Sequence, residues 1–184
     1  MADGTLKVGT IITSSGSGTI TLGQSGETID IPTGATITGA VANTPYFKAG
    51  ITTQSLPYNT LTKITYDNEI TDTAGAYDPS TNYRFTVPTG EGGTYYIGAW
   101  YRSGTGTDIS AFEIYLYKNG SSQEEDIAAQ SMSYSYNSVG MFGVITLAAG
   151  DYLECYAKQA AVTGSYNIGY SNEGRFFGYK LIGV

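Results

Sequence analysis

The sequence predicts an all-β protein, an antiparallel sandwich of short strands behind an N-terminal extension. Three observations carry that reading. Apolar and polar residues alternate with period two in run after run, and no useful stretch shows helical periodicity. Turn signals separate the runs at 8–14-residue spacing. The 17 tyrosines and 25 glycines supply strand formers and the positive-φ residues of tight turns.

Residues 1–44 hold no aromatic side chain, whereas residues 45–184 hold every Tyr, Phe and Trp. That shift sets the expected domain boundary. In the first segment Gly18, Gly26 and Gly34 recur every eight residues, each before a short alternating run: TITL (19–22), ETIDI (27–31) and ATIT (35–38). Each run is too short to bury a face within one chain, so an ordered β segment here is expected only when it is stacked with copies from other chains. From Pro45 the strand series begins with YFKAGITTQ (46–54) and KITYDNEI (63–70). NYRFTVP (82–88) follows and stops at Pro88, which cannot extend a ladder. GTYYIGAWYR (93–102) places Tyr95, Ile97, Ala99 and Tyr101 on one face and Tyr96, Trp100 and Arg102 on the other. SAFEIYLYKNG (110–120) sets Phe112, Ile114 and Leu116 against Glu113, Tyr115 and Tyr117, and Asn119-Gly120 signals a hairpin turn. AAQSMSYSY (128–136), VGMFGVITLAAGD (139–151), LECYAKQA (153–160) and RFFGYKLIGV (175–184) complete eight or nine strands, and the second of these is apolar enough for a central position.

The bulk numbers exclude several functions. A net charge of −7 argues against a nucleic-acid backbone as partner. No apolar run approaches a membrane span. The opening MADGTLKVGT lacks the apolar core of a secretion signal, so synthesis in a cytoplasm without secretion is expected. Histidine is absent, which removes the commonest general base and zinc ligand. The single cysteine, Cys155, reads as a buried small apolar residue. A glycosidase would need two acids across a cleft, and Glu113 and Glu154 are the pair weighed; both are expected on outward strand faces, in water. No catalytic residue is therefore predicted. Loop carboxylates at Asp72, Asp78 and Glu124-Glu125-Asp126 leave a Ca²⁺ site conceivable, although their spacing fits no defined loop motif and no cofactor is expected. Tyr134, Tyr136 and Asn137, in a stretch of Ser, Tyr and Asn, are candidates for surface recognition. Tyr95, Trp100, Phe177 and Tyr179 are candidates for packing between strands or subunits.

The order of motifs from Pro45 to Val184 resembles the C1q and tumour-necrosis-factor-like family. Tyr77-Asp78 precedes Phe85-Thr86-Val87-Pro88 and Gly93-Thr94-Tyr95-Tyr96; a Leu147–Asp151 turn and a terminal Phe177-Gly178-Tyr179-Lys180-Leu181 strand follow. The resemblance implies a ten-stranded jelly roll, trimeric about a threefold axis with aromatic residues at the interface, binding rather than catalysing. The opening LKVGTIITSSGSGTITLGQSGETIDIPTGATI is similar in style to the starts of structural proteins of marine tailed bacteriophages. That resemblance implies a virion protein, fastened to other virion proteins through residues 1–44. It is expected to act as a tail-fibre head touching a host glycan or protein, or as a capsid decoration. A soluble trimeric binding module of cellular origin is the alternative.

Overall fold

The computed structural model describes residues 10–12, 19–24, 26–30, 32–35, 43–104, 112–123, 138–160, 164–169 and 172–181, and the backbone of 128–130. The chain divides into two compact units, Met1–Ala40 and Val41–Val184.

In the first unit the described residues form turns and no strand. Gly23, Gly26 and Gly34 sit at positive φ. The Glu27 amide donates to the Gln24 carbonyl at 3.0 Å, and the Ala35 amide to the Pro32 carbonyl at 3.0 Å. Ile11, Ile12, Ile20, Leu22 and Ile29 are all exposed, so these described apolar residues find no burial within one chain.

The second unit is a jelly-roll sandwich. In chain order its strands are β1 (Tyr46–Gly50), β2 (Gln54–Leu56), β3 (Thr62–Lys63), β4 (Asn68–Asp72), β5 (Tyr77–Asp78), β6 (Arg84–Thr86) and β7 (Gly93–Arg102). Then come β8 (Phe112–Lys118), β9 (Ser121–Ser122), β10 (Ala128–Gln130), β11 (Ser138–Leu147), β12 (Tyr152–Gln159), β13 (Tyr166–Ile168) and β14 (Gly174–Lys180). Ten of these form two five-strand paths, β11-β7-β14-β1-β4 and β10-β8-β12-β6-β5. β3 and β9 extend the second sheet beside β12 and β8, and β2 pairs with β13. Every strand pairing is antiparallel.

Period-two alternation decides which side chains meet between the sheets. Tyr95, Ile97, Ala99 and Tyr101 of β7 point inward, as do Phe112, Ile114 and Leu116 of β8 and Leu153, Cys155 and Ala157 of β12. At the centre Phe47 stacks on Phe85 (4.4 Å between centroids) and Tyr77 (5.4 Å), with Phe176 edge-on at 4.9 Å. Tyrosine hydroxyls reaching the core rim are matched to carbonyls, since an unpaired buried hydroxyl would be destabilising. Tyr66 donates to Trp100 O (3.1 Å), Tyr77 to Tyr66 O (2.9 Å), Tyr95 to Glu91 O (2.6 Å) and Tyr101 to Glu113 O (3.0 Å).

Two turns hold one end of the sandwich. Asn119 (φ 52°) and Gly120 (φ 78°) close the β8–β9 hairpin in the left-handed conformation that an Asn-Gly pair adopts readily. Asn119 also ties that hairpin to the β11–β12 turn. Its amide donates to Asp151 at 2.7 Å, and its oxygen accepts from the Tyr152 amide at 2.9 Å.

The structure corrects two expectations. β11 is not central: it lies at the edge of its sheet and, among the described residues, pairs with β7 alone. Glu154 does not face water. It is 5% exposed and paired with Lys63 at 2.6 Å, because the Lys63 side chain from β3 folds over the outer face of β12.

Candidate functional site

The outer face of the β11-β7-β14-β1-β4 sheet carries the feature that most requires a partner. β11 is apolar on both sides. Val139, Met141 and Leu147 turn into the core, whereas Phe142 and Val144 turn out and are 57% and 59% exposed. An edge strand with an apolar outer row is a liability unless something covers it.

Register places the neighbours of those two residues. One row across the sheet runs Val144, Tyr96, Tyr179, Tyr46; the next runs Phe142, Gly98, Phe177, Lys48; a third runs Gly140, Trp100, Arg175, Gly50. The rings touch along the strands and between them. Tyr96 lies 5.5 Å from Tyr179 and 6.4 Å from Phe177, and Phe142 lies 6.3 Å from Phe177. Gly98 is the reason that Phe177 and Phe142 can lie flat against the sheet. A Cβ at that position would run into the Phe177 ring and come within 2.8 Å of Phe142. Beside this pavement is a hollow of about 510 Å³, lined by Tyr46, Lys48, Trp100, Arg175, Phe177 and Tyr179.

Of the packing candidates, Trp100, Phe177 and Tyr179 stand together on this outer face, and Tyr95 is fully buried in the core against Phe85 (5.7 Å). The recognition candidates Tyr134, Tyr136 and Asn137, and the acidic run Glu124-Glu125-Asp126, lie outside the described residues. Sequence reasoning missed Phe142, Val144, Tyr96 and Tyr46. The signal that could have found Phe142 and Val144 is that β11 is apolar on both faces.

The described acids weighed as candidates are engaged in structural contacts. Glu113 and Glu154 share the outer face of the second sheet, but Glu154 pairs with Tyr117 and Glu113 with Lys158 in the ladder. Four residues of strand therefore separate them, roughly 13 Å at the usual rise, beyond the ~5–9 Å of a glycosidase pair. The Tyr115 hydroxyl donates to Glu113, and Tyr156 donates to Glu154 at 3.4 Å. Asp78 accepts from the amides of Ser80, Thr81 and Asn82, and the Thr81 and Ser80 bonds hold its carboxyl far below the usual range. Asp72 accepts from Ala74 and Tyr77 amides. Both aspartates build turns. Among the described residues no three His, Cys, Asp or Glu side chains cluster as a metal site would require. A second hollow, of about 500 Å³, lies beside Asp78 and Arg84, where the Arg84 guanidinium stacks 4.3 Å from the Tyr152 ring. Burial pushes the Cys155 thiol well up, and the neighbouring Glu154 adds to it, which disfavours a thiolate at this position.

No family model matches the chain. No curated protein matches it either. Solved structures do. The globular domain of a zebrafish complement 1qA protein is 18% identical over 74% of this chain and 97% of its own, with a TM-score of 0.52. Murine APRIL is 14% identical over 74% of this chain and 98% of its own, with a TM-score of 0.55. Eiger TNF from S. frugiperda is 12% identical over 76% and 95%, with a TM-score of 0.54. The second unit thus has a C1q/TNF-like jelly-roll fold.

Proposed function

We propose that the protein is a non-catalytic, homotrimeric structural and binding module of a tailed-bacteriophage particle, with residues 45–184 as its exposed head and residues 1–44 as its attachment segment. The observation that carries the trimer is the bare aromatic face of the five-stranded sheet. A face ending in Phe142 and Val144 at more than half exposure asks for a second protein surface, and the C1q/TNF-like resemblance supplies the threefold arrangement. The attachment role is supported by five large apolar side chains left exposed in the first unit. The virion role is supported by the phage-like style of that segment. On the particle the head serves as a tail-fibre tip touching a host glycan or protein, or as a capsid decoration.

Two measurements test this. Light scattering of the purified chain should give three times 19.5 kDa, and a folded monomer at working concentration sinks the trimer. An antibody against the chain, imaged on particles released from cells carrying its gene, should label the tail tip or the capsid shell. Unlabelled particles remove the virion role and leave a soluble trimeric binding module of cellular origin. The animal proteins of like fold favour that second reading.

A further inference from the structure

We propose that the hollow beside Arg84 binds a carboxylate-bearing saccharide, a uronic acid, with the Arg84 guanidinium holding the carboxylate. The inference rests on the glycan-binding reading above and narrows it to one site and one chemistry; it needs neither the trimer nor the particle. Among the described residues Arg84 makes no hydrogen bond and no ion pair. Its neighbour across the β5–β6 ladder is Asp78, yet that carboxylate is spent on its own turn. One Asp78 oxygen accepts from the Ser80 amide (3.0 Å), the Ser80 hydroxyl (3.2 Å) and the Thr81 amide (2.9 Å). The other accepts from the Asn82 amide (3.0 Å) and side chain (2.9 Å). These bonds fill the roughly four lone-pair sites of a carboxylate, so Asp78 keeps nothing for Arg84 or for a ligand hydroxyl. Glu154 lies one residue beyond the Leu153–Phe85 pair, and Lys63 takes it at 2.6 Å. Arg84 is nevertheless held in place, stacked 4.3 Å from the Tyr152 ring, which leaves the edge of its fork free for a planar anion.

The rest of the hollow suits a sugar. Its volume of about 500 Å³ falls in the range of small-molecule sites. Thr86 and Thr89 line it, and their hydroxyls have no hydrogen-bond partner among the described residues. Ala74, Ala76 and Pro88 give it apolar walls for the C–H face of a ring. At Gly75 and Gly150 a Cβ would meet nothing within 4 Å, so the mouth stands open. The turn that bounds the hollow is already fixed. Lys63 donates to the Asn82 carbonyl (3.4 Å), and Tyr83, between that turn and Arg84, holds φ 51°, a costly conformation for a bulky residue. A site set in advance loses little freedom when it binds.

Ligand-observed NMR titration of the purified full chain, with glucuronate, glucose and acetate as separate probes, tests the site. Glucuronate should bind, and the other two should bind about tenfold more weakly or worse, because glucose lacks the charge and acetate lacks the ring. Added salt should weaken the glucuronate complex, as a partly exposed ion pair requires. Arg84 points away from the core, so Arg84→Gln should melt near the wild-type temperature while binding glucuronate about tenfold more weakly or worse. Arg84→Lys keeps the charge but not the planar fork and should not restore binding. Thr89→Val leaves the guanidinium and its stack untouched, and a severalfold loss there reads the site independently of Arg84. Glucose bound as tightly as glucuronate overturns the carboxylate, acetate bound as tightly overturns the saccharide, and glucuronate bound equally by Arg84→Gln overturns the site. A chain that binds a neutral host glycan but no glucuronate overturns this inference and leaves the glycan reading standing. The mass and labelling measurements above decide trimer and particle separately.

Discussion

Gly98 and Phe177 face one another across the β7–β14 ladder, and their relation separates folding from assembly. Gly98→Val would push the Phe177 and Phe142 rings off the sheet, but both lie on the outer face and can swing into water. The expected outcome is a loss of stability near the low end of the ~1–3 kcal/mol usual for overpacking, with a large loss of trimer; denaturant melts and light scattering on the same sample read the two effects. Glu154 behaves in the opposite way. Glu154→Ala removes the carboxylate that holds Lys63 and accepts from Tyr156. Lys63 is partly exposed and can turn to solvent, so a loss of about 1–3 kcal/mol is expected, read as a lower urea midpoint with the trimer retained. Residue-level roles were only partly legible in the sequence. Alternation put Trp100 and Tyr96 on one face of β7, but it could not say which acid would be covered. Burial of Glu154 depends on a lysine 91 positions away in the chain.

Strands long enough to show several periods were legible: β7 and β8 follow the predicted alternation, β12 follows it except at the buried Glu154, and β11 and β14 were marked as strands by their apolar and aromatic runs. β2, β5, β9 and β13 were not, because two or three residues carry no period; pairing with distant strands holds them. The 63–70 run is instructive. Ile64 and Tyr66 are buried as their alternation predicts, yet the ladder there breaks into β3 and β4. Edge or centre is likewise a property of the sheet, so the apolar character of β11 was visible while its position was not. The joined turns at Asn119-Gly120 and 148–151 give an element-level prediction. Hydrogen bonds from Asn119 and Lys118, then from the Ala148 amide, lower the Asp151 carboxyl to about 2. An unfolded Asp titrates near ~3.9. The stabilisation from this carboxylate is therefore complete above about pH 4 and is lost as pH falls through about 2. Thermal melts from pH 7 to pH 2 should show that decline, and Asp151→Asn should lower the melting temperature at pH 7 and flatten the acid limb.

At the scale of the whole molecule, the two units invite separate tests. A chain of residues 45–184 should fold, trimerise and melt cooperatively without residues 1–44, yet fail to join whatever the full chain attaches to. Circular dichroism and co-sedimentation with particles measure both halves of that expectation. The fold class of the second unit was readable because its core is built from repeated alternation; the role of the first unit was not, because its described isoleucines face outward. The topology has one more consequence, for biosynthesis. β14, residues 174–180, lies in the middle of its sheet, with β7 on one side and β1 on the other. The two neighbours it joins emerge from the ribosome more than seventy residues earlier and cannot meet without it. A nascent chain interrupted before residue 174 thus has no closed sheet, no aromatic pavement and no hollow beside it. Completion of this face therefore waits on the last strand, and a chain that stops before residue 174 lacks Phe177 and Tyr179.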